Sequence, residues 1–241
     1  MSRLLLVRHG QASAGSADYD RLSELGWRQA TELGRHWARL GLVPDRVCVG
    51  PCRRQLETAE AVAAAFTAGR RPWPEPEPLP ELDEHDGYMV FTRSLPALAE
   101  SDTEARTALE LVDQPLDEDM RLYYRVYRRA TRSWARGELD LPAGEPELED
   151  WPVFRRRAES ALSELVDGDG SGRTVVAFTS AGPVAVAVGR ALGLDDETVL
   201  SLSWAVRNCS VSEFLFSGER FSLHSFNSQL HLAEPGLESW V

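Results

Sequence analysis

The chain has 241 residues, 43% hydrophobic and 27% charged, with a formal charge of −12; this suits one large α/β domain or two small ones and argues against a nucleic-acid partner, because phosphate backbones need clustered cations. A local arginine pocket for a small anion is still compatible with that balance. No apolar run approaches the ~20 residues of a membrane span, Met1-Ser2-Arg3 leads into an apolar run too short for a signal sequence, and Cys48, Cys52 and Cys209 make no disulfide framework, so the expected setting is reduced and cytoplasmic, away from membranes.

Leu4-Leu5-Leu6-Val7 predicts a strand covered on both faces, and it ends on Arg8-His9-Gly10-Gln11. Ligands of open α/β sheets bind at that carboxyl edge. A guanidinium fork there suits phosphate oxygens, a neutral imidazole is a nucleophile toward phosphorus, and glycine lets backbone approach a ligand. Residues 10–20 are small and polar, hence loop. Leu22, Leu25, Ala30, Leu33, Trp37 and Leu40 recur on one helical face, and Gly41 closes that helix. Val47-Cys48-Val49 reads as a short strand. Gly50-Pro51-Cys52-Arg53-Arg54 then turns into a second helix reaching about Phe66. The neighbouring arginines could activate Cys52, although packing is its simpler role.

The proline-rich stretch Arg70–Pro80 predicts extended loop, and residues 94–137 predict helix, with Leu122, Val126, Ala130 and Trp134 at helical spacing. Arg121, Arg125, Arg128, Arg129, Arg132 and Arg136 form a basic stripe there, a solvated face balanced by acids or else a lid over a phosphate pocket. Tyr123, Tyr124 and Tyr127 would serve as core, or would meet a leaving group under such a lid. Residues 138–150 are acidic loop, and Phe154–Val166 is a third amphipathic helix. Asp167-Gly168-Asp169-Gly170 is no calcium loop, since its twelfth position is Phe178, and it precedes a strand where a dinucleotide loop would follow one. Thr174–Phe178 is a buried strand, followed at Pro183 by an Ala/Val-rich helix; Ser210–Phe216 and Phe221–Phe226 form a hairpin. Strands alternating with helices predict an α/β fold, a three-layer α/β/α sandwich with a mainly parallel central sheet. A single domain spans 1–241 in this reading, with a helical insertion at about 88–150.

Three runs in this order, Arg8-His9-Gly10-Gln11, Leu22-Ser23-Glu24-Leu25-Gly26-Trp27-Arg28-Gln29-Ala30 and Gly50-Pro51-Cys52-Arg53-Arg54-Gln55-Leu56-Glu57-Thr58-Ala59, resemble the histidine phosphatase superfamily, also called phosphoglycerate mutase-like. The last run is similar to that family's Ser-Pro-Leu-x-Arg-Ala-x-x-Thr-Ala. The resemblance implies that His9 attacks phosphorus and becomes phosphohistidine. It implies that Arg8 and Arg54, with Gln11 beside them, bind phosphate. Cationic side chains then supply the field, with no metal or cofactor. The general acid falls in Glu81-Leu82-Asp83-Glu84-His85-Asp86, at Glu84 by the Leu-x-Glu pattern, with Glu81 as runner-up. A carboxyl beside a dianionic phosphate can keep its proton near neutral pH. A solvated acidic loop is the plain alternative. A metal site from Asp83, Glu84, His85 and Asp86 lacks suitable ligand spacing.

The same resemblance implies a second histidine, in a His-Gly-Gly context, after the late strand. Thr179-Ser180-Ala181-Gly182-Pro183 stands there, with Ser180 in the histidine's place. Ser180 is expected to cap the following helix and to touch phosphate beside the helix N-terminus. A lost hydrogen bond to a charged group is worth ~1.5–3 kcal/mol, a roughly ten- to hundredfold slower turnover. His36, His85, His224 and His231 are the other imidazoles, and none is assignable to the gap. The expected function is metal-independent hydrolysis of a small organic phosphate monoester through phosphohistidine. A non-catalytic or weakly active phosphate-binding module is the alternative, and a phosphomutase is less favoured. The expected partner is a small phosphorylated substrate, with a homodimer compatible.

Overall fold

In this computed structural model, which describes residues 1–13, 20–69, 72–111, 120–139, 148–168 and 171–240, the first strand β1 (Ser2–Arg8) alternates its side chains between two covered faces. Leu4, Leu5, Leu6 and Val7 are all buried. The expected loop residues 14–19, 70–71 and 140–147, part of the expected helix at 112–119, and Asp169-Gly170 lie outside the described residues. The other strands are β2 (Arg46–Val49), β3 (Glu77–Pro78), β4 (Thr174–Thr179), β5 (Val211–Ser217) and β6 (Arg220–Ser228). They form one sheet in the order β3-β2-β4-β1-β5-β6. The pairs β3/β2, β2/β4 and β4/β1 are parallel, and β5 returns antiparallel between β1 and β6. The fold is α/β with a mixed, mostly parallel sheet. β3 comes from the proline-rich stretch read as loop. It pairs with β2 at the sheet edge, where a proline without an N–H is tolerated.

Helices α1 (Glu24–Leu40) and α2 (Arg53–Thr67) cover one face of the sheet. Leu33, Trp37, Val62 and Phe66 meet Leu5, Val7, Val47, Val49, Val176 and Phe178 in one apolar cluster. Ser23 caps α1, its hydroxyl accepting the Gly26 N–H at 3.1 Å, and Gly41 ends it in the left-handed region at φ 69°.

The chain divides into two compact units, Met1–Glu84 with Arg156–Val241, and His85–Arg155. In the second, the stretch expected to be helical holds, among the described residues, α3 (Gly87–Ser101), α4 (Thr103–Leu111) and α5 (Met120–Ala135). Phe91, Leu95, Ala99, Ala105, Ala108, Leu122, Val126 and Ala130 make its own core, with Tyr123 and Tyr127 packed against it. Arg125 and Arg129 pair with Glu104, and Arg129 also with Asp102, so those arginines of the basic stripe are balanced by acids. Helix α6 (Trp151–Val166) runs across the boundary of the two units. Helix α7 (Ala181–Leu192) is buried from Gly182 to Gly189 and packs on β1 and β6. It is followed by α8 (Asp196–Ser203), which the sequence reading did not foresee. No helix among the described residues is long and apolar enough to cross a membrane.

Candidate active site

Four chain segments leave the carboxyl edge of the sheet together, after β1, β2, β3 and β4, and they carry the residues singled out in the sequence. His9 follows β1 directly. Its backbone N–H donates to Thr179 O at 2.9 Å, and its carbonyl accepts from Cys209 N–H at 3.0 Å, so the residue is held from both sides. The ring is buried, 5% exposed. Its Nδ1 lies 2.7 Å from the Gly10 carbonyl. A carbonyl only accepts, so Nδ1 carries the hydrogen. Its Nε2 accepts from Arg54 Nε at 3.1 Å. The lone pair therefore sits on Nε2 and faces a guanidinium. Burial first, then the Arg8 and Arg54 charges, hold the His9 pKa well below the ordinary imidazole value.

Arg54 stands in the first turn of α2, with its side chain 13% exposed. Its Nη1 donates to Asp20 Oδ1 at 2.5 Å, and Asp20 Oδ2 accepts the Arg53 N–H at 2.9 Å. One carboxylate thus braces both the guanidinium and the start of the helix, where negative charge is favoured. Thr58, one turn on, accepts the Gly10 N–H at 3.0 Å and donates to Arg54 O at 2.6 Å. That hydroxyl ties the His9 loop to α2. Arg8 is half-buried and gives Nη1 to the Val206 carbonyl. Gln11 donates its N–H to Gln29 Oε1 at 2.9 Å, and its side-chain oxygen accepts from Ser23 Oγ at 2.8 Å.

Glu84 reaches the site's edge from the loop after β3. Its Oε2 accepts the Gly182 N–H at 2.9 Å, in the first turn of α7. Arg157, on α6, steadies that loop by donating Nη1 to Glu81 O at 3.0 Å and to Asp83 O at 2.9 Å. The sequence reading missed Arg157, Asp20 and Thr58 as supports, since each meets partners far from it in the chain.

Ser180 is wholly buried at the end of β4 and has N-cap backbone geometry, but its side chain makes no capping bond. This corrects the expected hydroxyl cap. Gln55 Nε2 instead donates to Ser180 Oγ at 2.8 Å, and the Glu84 carboxylate takes the helix N–H. The other histidines have different surroundings. The His36 and His231 rings lie 6.2 Å apart, the His85 ring packs on Trp134 and Phe154 in the helical unit, and His224 is exposed on β6. Cys52 Sγ donates to Asp83 Oδ1 at 3.0 Å, and burial pushes the thiol up to about 12, against the pull of Arg54. The thiol is therefore inert rather than activated by its arginine neighbours. Among the described residues no group of three or more His, Cys, Asp and Glu side chains is placed to hold a metal ion.

The arrangement gathers an unprotonated imidazole nitrogen, a guanidinium aimed at it, a carboxylate and a helix N-terminus at one sheet edge. Such a set is suited to an oxyanion and to a transfer at phosphorus. No curated protein matches the chain. Solved structures with the same fold include a phosphoglycerate mutase from Bacillus anthracis, 18% identical over 96% of this chain and 95% of that one, with a TM-score of 0.62. A phosphoserine phosphatase variant from Entamoeba histolytica, solved with phosphoserine, is 18% identical over 96% and 100%, with a TM-score of 0.57. A mycobacterial glucosyl-3-phosphoglycerate phosphatase is 20% identical over 94% and 98%, with a TM-score of 0.57. The model of the histidine phosphatase superfamily (branch 1) matches residues 4–136 and 118–229, and the chain belongs to that superfamily.

Proposed function

We propose that the protein is a metal-independent phosphatase that hydrolyses a small organic phosphate monoester through phospho-His9. The observation that carries this reading is the His9 ring, with Nδ1 committed to the Gly10 carbonyl and the Nε2 lone pair facing Arg54. Nε2 attacks phosphorus, the bond from phosphorus to the ester oxygen breaks, and the phosphoryl group moves to the ring. Arg8 and Arg54 take the charge that spreads over the equatorial oxygens. Ser180 and the first turn of α7 add donors, and Gln11 lies beside them on the loop. Glu84 gives its proton to the leaving alkoxide, then takes one from the water that cleaves the P–N bond. His9 returns to its neutral form and inorganic phosphate leaves. Glu84 is preferred to Glu81 because its carboxylate already meets the α7 N-terminus.

Ser180 favours a second reading, a phosphate-binding module with weak turnover or none. A hydroxyl carries no charge to offset that of the phosphoryl group, so chemistry would slow while binding persists. The same deficit weighs against a mutase, which must retain phosphohistidine while its substrate reorients. Incubation with an aryl phosphate in EDTA separates these readings. Steady phosphate release, abolished in His9→Ala, supports the hydrolase. Tight orthovanadate binding with no release in the parent, and release gained in Ser180→His, supports the module.

A further inference from the structure

We propose that Gln55 is a positioning residue for phosphate recognition: it fixes the direction of the Ser180 hydroxyl so that this group can only donate toward the oxyanion. The inference rests on the reading of Ser180 as a phosphate ligand. Gln55 lies in the first turn of α2 and is wholly buried. Its amide orientation follows from its partners. Oε1 accepts the Cys52 N–H at 3.2 Å, and Nε2 points at the Leu82 carbonyl at 3.4 Å and at Ser180 Oγ at 2.8 Å. An N–H can only be offered to Ser180, so Ser180 Oγ must accept it, and its own hydrogen is left to give elsewhere. That hydrogen has no acceptor among the described residues, although Ser180 is 0% exposed and does not cap its helix. A buried hydroxyl hydrogen without an acceptor costs stability unless a ligand takes it. The parallel register sets Thr179 opposite Arg8, so Ser180 lies level with His9 at the same sheet edge.

Space for this arrangement comes from Gly50. A Cβ there would stand 2.2 Å from Gln55 Oε1, so the amide would have to leave its present position. The amide also links the segments after β2, β3 and β4 through Cys52, Leu82 and Ser180. A glutamine at 55, a glycine at 50 and a serine at 180 therefore work as one unit, in which a fixed hydroxyl donor does the work of a phosphate-binding side chain.

The test is the affinity for orthovanadate, measured by calorimetry on the full chain, in the parent, Ser180→Ala, Gln55→Met and the double variant. Each single change is expected to weaken binding about tenfold, and the double variant no further than the weaker single. Melting temperatures measured without vanadate separate such coupling from a shared packing defect, because the proposal requires the affinity to fall in variants that remain folded. Gly50→Ala, whose Cβ would crowd the amide and also stand 3.0 Å from Leu82 O, leaves Gln55 and Ser180 chemically unchanged; it should weaken binding to the same degree and serves if Gln55→Met does not fold. Unchanged affinity in Gln55→Met, or losses that add in the double variant, would overturn the proposal. Vanadate binding with this coupling but no aryl phosphate turnover would support it while sinking the hydrolase. No vanadate binding by the parent would overturn both.

Discussion

Three neighbours act on the His9 ring. The Gly10 carbonyl chooses the tautomer, burial keeps the ring neutral, and the Arg8 and Arg54 charges oppose protonation further. In the proposed role of nucleophile, such a ring should work in mildly acidic solution. The acid limb of kcat/KM for an aryl phosphate is therefore expected well below pH 6.5, because that limb reports the free enzyme's essential base. A limb at the ordinary imidazole value would mean that the reacting nitrogen is solvated. The motif Arg8-His9-Gly10 was legible because a buried strand running into charged residues is a local pattern. The supports of these residues were not. Ser180 and Gln55 are 125 positions apart, and nothing in either neighbourhood marks the other.

At the scale of elements, the loop after β1 and the first turn of α1 approach closely enough to require two glycines. A Cβ on Gly26 would lie 2.2 Å from Gln11 O, and one on Gly10 would lie 2.6 Å from Gly26 O. Gly26→Ala must push the His9 loop off Thr58 and Arg54. The expected cost is about 1–3 kcal/mol of stability, with orthovanadate affinity lost alongside, read by thermal melting with and without the anion. A melt that drops while vanadate still stabilises the variant as it does the parent would show that the loop and the site are independent. Most helices and strands of the first unit could be read from period and caps, as with Gly41 closing α1, but α8 could not. β3 could not, because Glu77 and Pro78 form a strand only through their pairing with Cys48 and Val49. The helical unit was legible in kind but not in its breaks. Pro96 sits inside α3, and the chain turns instead at Asp102, whose side chain accepts the Glu104 and Ala105 N–H groups.

For the molecule as a whole, two buried imidazoles contribute to the response to acid. Burial lowers the His231 pKa to about 4 from 6.5, with the His36 charge acting in the same direction. Its folded form thus stays neutral while the unfolded chain binds a proton. Stability is fully present above pH 6.5 and is lost as pH falls toward 4, by about 3 kcal/mol for this group. His9 adds a loss of the same sign. Urea melts of His231→Gln between pH 7 and 4 should lack that share of the decline; an unchanged pH dependence would place the His231 ring in solvent. The acidic charge of −12 coexists with a cationic site because Arg8 and Arg54 act at short range, inside a partly buried edge where screening is weak. The most direct measurement is rapid quench of the parent in alkali during turnover of an aryl phosphate, followed by mass spectrometry of the peptide holding residue 9. The expected result is a phosphoryl group on His9 that survives alkali, is lost in acid and is absent from His9→Ala. Turnover with no phosphorylated His9, or with the label on another side chain, would contradict the central claim.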